Sequence, residues 1–492
     1  MSFRQRLVAS FCIALNAGMS LLAQGATLKV DTTNDAVSAN ACDLRTAISA
    51  VNKGQNQGGC LNSNNQQPYG NNDTITMVAG TYLMNFGQLK LEKSVHIHGE
   101  GLGTTLDMLS KSRAFHIPGP AKTTVIIDNV NILNGWTDGD GGAIDDWGGG
   151  GELVFSNGVI KNCVAEYSGG AILSSGTLKI INSTLEKNVS SFGGAIHSNS
   201  SVEIHNSVIS NNVAADAGGG ISVQLGSLMI QGSLIEQNKV IGGYGGGIYI
   251  EDAFGQISTT SVESNEALPS DITNGAGGGL VILNSNVDIT SSSITGNYDF
   301  PGTTKHPAVS AGGVFNGDTS GGFTVTTVTN STISHNHTLD KPGAQIYNYG
   351  EIRLYGSTIF EEGDDSDDQA VYGIDNPDGT LFSKNSIIAA RCTSPMSSEG
   401  YNVEISKSCG LDLQGINMND LILPLSPTGG FNPTWIHPLP KKSPAIDLSQ
   451  DCSGFEGTTI TYDQRGTLRP QDGNGDGKAF CDSGAYELSV GG

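Results

Sequence analysis

The chain has 492 residues, 37% hydrophobic and 15% charged, and its 25 Lys and Arg against 48 Asp and Glu leave a formal net charge of −23. So acidic a balance repels phosphate backbones and anionic lipid surfaces, which excludes nucleic acid as a charge-driven partner. The 68 glycines are about twice the usual share of roughly 7% and suit a chain that turns often and packs backbone on backbone.

Residues 1–25 read as a secretory leader. Arg4 and Arg6 precede an apolar run from Leu7 to Leu22, and Ala23-Gln24-Gly25 offers a small-x-small cleavage site. The run is short and carries Asn16, so removal is expected, and no later stretch is apolar enough to span a membrane. Eight cysteines are present, of which Cys12 lies in the leader. Proximity pairs Cys42 with Cys60, Cys392 with Cys409 and Cys452 with Cys481, which suits an oxidising compartment, although sequence alone does not fix connectivity. Cys163 is left over and is expected as a small buried hydrophobe. The expected location is secreted or on an outer surface.

Residues 26–110 form an N-terminal cap and the first coils. Leu44, Ala47, Ile48 and Val51 share one helical face, which would cover the open end of a stack of strands. Val30-Asp31-Thr32-Thr33-Asn34-Asp35 and Cys42-Asp43-Leu44-Arg45-Thr46-Ala47-Ile48 resemble the CSLREA domain at the start of many secreted bacterial β-helix proteins, with Asp43 in place of its Ser and Thr46 in place of its Glu. Asp73-Thr74-Ile75-Thr76, Ala79-Gly80-Thr81-Tyr82 and Ile97-His98-Gly99-Glu100-Gly101 continue the likeness. It implies architecture and no particular reaction.

Residues 111–390 are a repeat region. Gly141-Gly142-Ala143-Ile144 returns at 169, 193, 218, 245, 277 and 312 in slightly varied form, at intervals of about 24–35 residues. An aliphatic residue three before an Asn alternates with it: Val159/Asn162, Leu185/Asn188, Ile209/Asn212, Ile235/Asn238, Val262/Asn265, Ile294/Asn297 and Ile333/Asn336. Segments between the marks, such as Leu178-Lys179-Ile180-Ile181 and Val202-Glu203-Ile204-His205, have strand period. The expected fold is all-β, a right-handed single-stranded parallel β-helix whose glycine pairs permit tight bends and whose asparagines hydrogen-bond from coil to coil. The phrases also resemble the repeats of polymorphic outer-membrane proteins, with Val, Ile or Leu for their Phe. That family exports itself through a C-terminal barrel, and no series of amphipathic strands appears in the last hundred residues here, so self-transport is not expected.

Loops between each Asn and the next glycine pair carry Trp136, Asp138, Asp140, Glu166, Tyr167, Phe192, Asp216, Tyr244, Asp271, Tyr298, Asp299, Phe300, His306 and Asp340. If the marks stack, these make an aromatic and acidic flank on which sugars can sit, or else solvated loops whose rings cover coil edges. Glu361 to Asp368 is an acidic run that reads as a solvated loop with weak attraction for divalent cations.

Residues 391–492 are a different module. Ser443-Pro444-Ala445-Ile446-Asp447, Asp463-Gln464-Arg465-Gly466, Arg469-Pro470 and Cys481-Asp482-Ser483-Gly484-Ala485-Tyr486-Glu487 resemble the choice-of-anchor Q domain. That likeness implies the end of a β-helix protein whose surface anchor, where present, follows; no sorting motif, apolar helix or basic tail is read after it. Within it Asp472-Gly473-Asn474-Gly475-Asp476-Gly477 reproduces the opening of a calcium loop, with Ser483 at the twelfth position and Asp482 beside it. Asp472, Asn474, Asp476 and Asp482 are the candidate ligands of a structural Ca²⁺; a glycine-rich hairpin turn is the alternative.

No catalytic constellation stands out. A uronan lyase needs a cation and commonly an Arg or Lys base, yet no Arg lies between Arg113 and Arg353. A glycosidase needs two carboxylates at a set separation, and in Asp145-Asp146 strand neighbours point to opposite faces. His197, His205, His306, His335 and His337 have no acid partner in sequence. The expectation therefore leans away from an enzyme and toward a binding or adhesion surface for a polysaccharide or a host or cell-surface glycan. A polysaccharide lyase or glycoside hydrolase of the pectate-lyase-like kind is the alternative.

Overall fold

The computed structural model describes residues 25–489 apart from 37–39, 64–66, 71, 102, 119–121, 148–149, 269–275, 301–309, 318–322, 339–342, 362–371 and 430–431. The leader up to residue 24, Asp271, His306, Asp340 and the acidic run beyond Glu361 lie outside the described residues. The chain is an all-β, right-handed parallel β-helix with little helix, and it divides into two compact units, Met1–Val213 and Ala214–Gly492.

In the first unit the expected helix forms as α1 (Leu44–Lys53), with Leu44, Ala47, Ile48 and Val51 buried against the first strands of the coil stack. Asp43 caps its N-terminus, accepting from the Thr46 amide at 2.9 Å and from the Thr46 hydroxyl at 2.7 Å. Gly54 ends the helix at a left-handed φ of 69°, and the Cys42–Cys60 disulfide ties its start to the loop behind it.

One coil carries four short strands: Ile144–Asp146, Glu152–Ser156, Val159–Lys161 and Val164–Ala165. Each pairs in parallel with its counterpart one coil on, Ile144 with Ile172, Leu153 with Leu178, Ile160 with Leu185 and Val164 with Val189. Inward residues therefore fall into columns such as Val95, Val125, Leu153, Leu178 and Val202, all buried. The glycine pair has two separate duties. Gly141 sits at φ 62°, and a Cβ on Gly142 would stand 2.2 Å from the Gly170 carbonyl oxygen of the next coil.

Asparagine side chains do form a ladder. Asn188 Oδ1 accepts the Cys163 amide at 3.0 Å, and Asn212 Oδ1 accepts both the amide and the side-chain nitrogen of Asn188 at 2.9 and 3.0 Å. One member of the expected series is out of register by a residue. Asn162 sits in the turn at φ 55°, and the buried Cys163 takes the ladder position, its sulfur accepting the Gly135 amide at 3.3 Å. Burial pushes the Cys163 thiol up to about 12, so it behaves as the small hydrophobe expected.

The second unit repeats the plan. Ile221, Ile248, Leu280, Val314 and Ile346 stack through parallel pairing, which continues as far as Val403–Glu404. Its ladder runs Asn238, Asn265, Asn297, Asn336, each Nδ2 reaching the next Oδ1 at 2.8–3.0 Å, and closes on Gln345 Oε1 at 2.8 Å. A second ladder escaped the sequence reading. The amides of Ser233, Thr260, Ser292, Ser331 and Ser357 donate to the hydroxyls of Thr260, Ser292, Ser331, Ser357 and Ser386 in turn. The C-terminal segment folds back along these coils. Trp435 Nε1 donates to Glu263 at 2.6 Å, Thr332 donates to Gln464 at 2.7 Å, and disulfides Cys392–Cys409 and Cys452–Cys481 form as paired above. No helix among the described residues is long and apolar enough to cross a membrane.

The register correction yields a direct comparison. Asn188→Ala strands the Cys163 amide and the Ile160 carbonyl that its side chain serves, at about 1–3 kcal/mol each, so a loss of roughly 2–6 kcal/mol is expected in urea unfolding. Asn162→Gly keeps the left-handed turn and should stay within about 1 kcal/mol of wild type.

Candidate metal centre

Val95–Gly99 reads Val-His-Ile-His-Gly. Strand alternation turns Val95 and Ile97 into the core and leaves His96 and His98 together on the outer face. In the next coil Thr124–Asp128 pairs in parallel, which sets Asp128 opposite His98 and Ile126 opposite His96. Gly99 permits this approach, since a Cβ there would stand 2.2 Å from the Asn129 carbonyl oxygen. Asn129, at φ 55°, donates its side-chain amide to the Gly99 carbonyl at 2.6 Å and fixes the turn behind Asp128.

His98 Nδ1 lies 2.8 Å from Asp128 Oδ2, and Asp128 Oδ1 accepts from Ser156 Oγ at 2.9 Å and Asn157 Nδ2 at 2.7 Å. Burial by itself would raise the Asp128 carboxyl, but hydrogen bonds from Asn157, Ser156 and His98 outweigh it and hold the group below its ordinary value. It is therefore kept as the anion. Burial also lowers the pKa of His96, which favours the neutral imidazole that binds metals. Its Nε2 is buried and has no hydrogen-bond partner.

One donor atom from each of His96, His98 and Asp128 lies within 4.8 Å of the others, so the three can hold a metal ion. The orphaned imidazole nitrogen fits such an ion, because a buried acceptor without a partner costs free energy that a ligand bond removes. Two imidazoles and one carboxylate suit zinc or another first-row transition metal, and nothing in that set is specific for calcium, which takes oxygen ligands. The sequence reading missed both histidines because their acid partner is 30 residues away and adjacent only through coil stacking.

The expected calcium ligands are arranged as follows. Asp472 accepts the amides of Gly475, Asp476 and Gly477 at 2.7–3.2 Å, Asn474 accepts that of Asp476, and Asp476 accepts that of Lys478. These side chains close their own exposed loop. Asp482 is fully buried, accepts from the Asp447 and Leu488 amides, and is pushed up to about 6 by that burial. On the proposed sugar flank, Trp136 and Tyr167 are exposed in the first unit, as are Tyr244 and Tyr298 in the second. Asp299 is not available there. It is buried, holds the Ser310 hydroxyl and the Ala311 amide, and burial pushes its carboxyl up to about 7.

A family model described as right handed beta helix region matches residues 109–267. No curated protein matches the chain. Among solved structures it is similar to the pectate lyase Pel9A at 13% identity, covering 95% of this chain and 96% of that one, with a TM-score of 0.34. A mannuronic acid specific polysaccharide family 6 lyase from human gut microbiota follows at 11%, 63%, 85% and 0.26 in the same order. The Azotobacter vinelandii mannuronan C-5 epimerase AlgE4 A-module gives 12%, 70%, 91% and 0.21. At such values these likenesses say nothing of the chemistry of this chain. The leaning away from an enzyme is overturned by the His96–His98–Asp128 group, a cluster able to hold a metal ion that the sequence reading did not find.

Metal binding can be read directly by calorimetry. The metal-free protein should take up about one equivalent of Zn²⁺ at this group, and His98→Ala or Asp128→Asn should weaken that uptake at least about tenfold. Unchanged uptake in both variants would place the metal elsewhere.

Proposed function

We propose that the chain is a carbohydrate-active enzyme of the parallel β-helix type, a lyase acting on an acidic, uronate-bearing polysaccharide. The observation that carries this reading is the His96–His98–Asp128 group, in which a buried imidazole nitrogen without a partner stands near a carboxylate held anionic. A divalent metal bound there would supply positive charge to neutralise a uronate carboxylate and so acidify the neighbouring C–H bond. The protein's own residues prepare the place. Ser156 and Asn157 fix Asp128, and His96 and His98 project from one face of a rigid strand.

Elimination is favoured over hydrolysis by where the adjacent acidic pairs of the coils, Asp145-Asp146 and Glu251-Asp252, are committed, the second of them to Gln224 and Asn284. A glycosidase needs two carboxylates free to act on the bond. Asp146 accepts the Ser174 hydroxyl at 3.0 Å, and Asp145 accepts from Arg113 and His116 at 2.8 and 2.9 Å. The CSLREA-like and choice-of-anchor Q-like phrases, the leader and the three disulfides support an extracellular setting. With a net charge of −23, the chain would meet an acidic glycan through a bound cation and not through its general field.

The test is cleavage of polygalacturonate, mannuronan and related uronans by the metal-stripped protein with Zn²⁺, Mn²⁺, Co²⁺ or Ca²⁺ restored. Ultraviolet absorbance of the unsaturated uronate product is the readout. We expect metal-dependent absorbance with at least one substrate, reduced about 10²-fold or more in Asp128→Asn. Absence of product with every substrate and metal would refute the reading.

A further inference from the structure

Two adjacent strands of the first unit present four outward positions as a square. His96 and His98 stand on one strand, Ile126 and Asp128 on the other, with His96 opposite Ile126 and His98 opposite Asp128. Three corners offer metal-ligating atoms within 4.8 Å of one another, and the fourth is an aliphatic side chain. The same row continues from Ile126 to Val154 one coil on, and both face outward, half-buried. Rungs of this kind lie about 4.8 Å apart, so a short hydrocarbon strip begins directly beside the place of the ion.

The charges around the strip decide what can lie on it. On this face Ile126 is surrounded by Thr124 and Asp128 on its own strand, by His96 and His98 on the preceding one, and by Glu152, Val154 and Ser156 on the next. None of these is a Lys or Arg. Lys179 follows Val154 in the row but is ion-paired with Glu152 at 3.0 Å. Two coils to the other side of His98, Lys29 is ion-paired with Glu100 at 3.4 Å. A carboxylate laid on Ile126 or Val154 would lose water against hydrocarbon and face Glu152 with no cation to compensate. An uncharged pyranose meets no such cost. Its ring turns C–H bonds toward the strip, which gains from being covered, and keeps its hydroxyls at the rim in water. A single outward aliphatic residue on a strand needs no explanation. A pair in one row that starts at the open corner of a metal square sets which sugar fits beside the ion.

We infer that the substrate is a heteropolysaccharide in which a uronate alternates with an uncharged sugar, and not an unbroken uronate homopolymer, the uronate carboxylate being held at the His96–His98–Asp128 group and its uncharged neighbour resting on Ile126 and Val154; this rests on the reading of the chain as a uronan lyase. Specificity then comes from both sides of the corner. The metal group demands one carboxylate, and the strip, with Glu152 at its edge, turns away a second one next to it.

The experiment uses the full chain loaded with the metal that supports cleavage. Alternating uronans (hyaluronan, unsulfated chondroitin and rhamnogalacturonan) are compared with polygalacturonate and mannuronan, and kcat/KM should be at least about tenfold higher for the alternating class. Ile126→Lys should erase that preference at unchanged metal content, raising kcat/KM on the homopolymers and lowering it on the alternating polymers. Val154→Lys should act in the same direction more weakly, and it carries the test if the first variant does not fold. Methyl NMR gives a readout apart from cleavage. A disaccharide with its uronate at the non-reducing end and an uncharged second sugar offers that uronate no glycosidic bond to eliminate. It should shift the Ile126 and Val154 methyl resonances of the metal-loaded protein, and stripping the metal should abolish the shift. If wild type cleaves polygalacturonate or mannuronan as well as the alternating polymers, the substrate inference is overturned while the lyase reading stands. Methyl resonances that do not move, or a preference unchanged in both Lys variants, overturn it equally. If wild type cleaves no uronan of either class, the lyase reading fails and this inference fails with it.

Discussion

Coil-to-coil registration through buried amides is the constraint on which the rest of this structure depends. In the asparagine ladders an Asn side-chain carbonyl accepts the backbone amide of the neighbouring coil's Asn and its side-chain nitrogen as well. Such a group buried without its partner would cost about 1–3 kcal/mol, so a slip of one residue is penalised at every rung. Apolar columns alone would not give that precision, because Val, Ile and Leu tolerate displacement along a strand better than a hydrogen bond does. The ladder fixes where each strand begins, and the glycine pairs let the coils approach closely enough to use it.

Two polar groups of the first unit arise from the coil stacking itself, on strands that precede the first rung of the asparagine ladder. His98 meets Asp128 and His116 meets Asp145 across 30 and 29 residues of chain, and each meeting is a pair of directly opposed residues on adjacent strands. Neither needs a loop to fold in a particular way. Side chains on rigid, parallel strands lose little further freedom when they bind, which is the condition for a preorganised site. Their outward face is set by alternation, and the neighbouring inward residues carry the cohesion.

Much of this architecture is legible in the sequence and some of it is not, for identifiable reasons. The glycine phrase, the strand period, the face of α1 and the asparagine ladder follow from residue types recurring at fixed offsets. The slip at Asn162 arises because asparagine serves two neighbouring positions, the left-handed turn and the ladder, and only the stacking distinguishes them. The Ser and Thr ladder is hidden by the abundance of those residues in a polar surface. Asp299, expected on the sugar flank, and Asp482, expected beside the calcium loop, are both buried and hydrogen-bonded, since burial is decided by the path of distant segments. The histidine partners were invisible because no local window spans a coil.

Cys163 gives the first unit an internal weak joint. Where Asn188 ties two coils with an amide, the thiol offers a poor acceptor to Gly135 and a poor donor to Lys161. Under tension or thermal breathing, the coils before it would part from those after it sooner than any pair joined by asparagine. The strands bearing His96, His98, His116 and Asp128 all precede that joint. Ser156 and Asn157, the partners of Asp128, and Asp145, the partner of His116, lie on the other side of it, so these side-chain hydrogen bonds clasp the seam that the thiol holds only weakly.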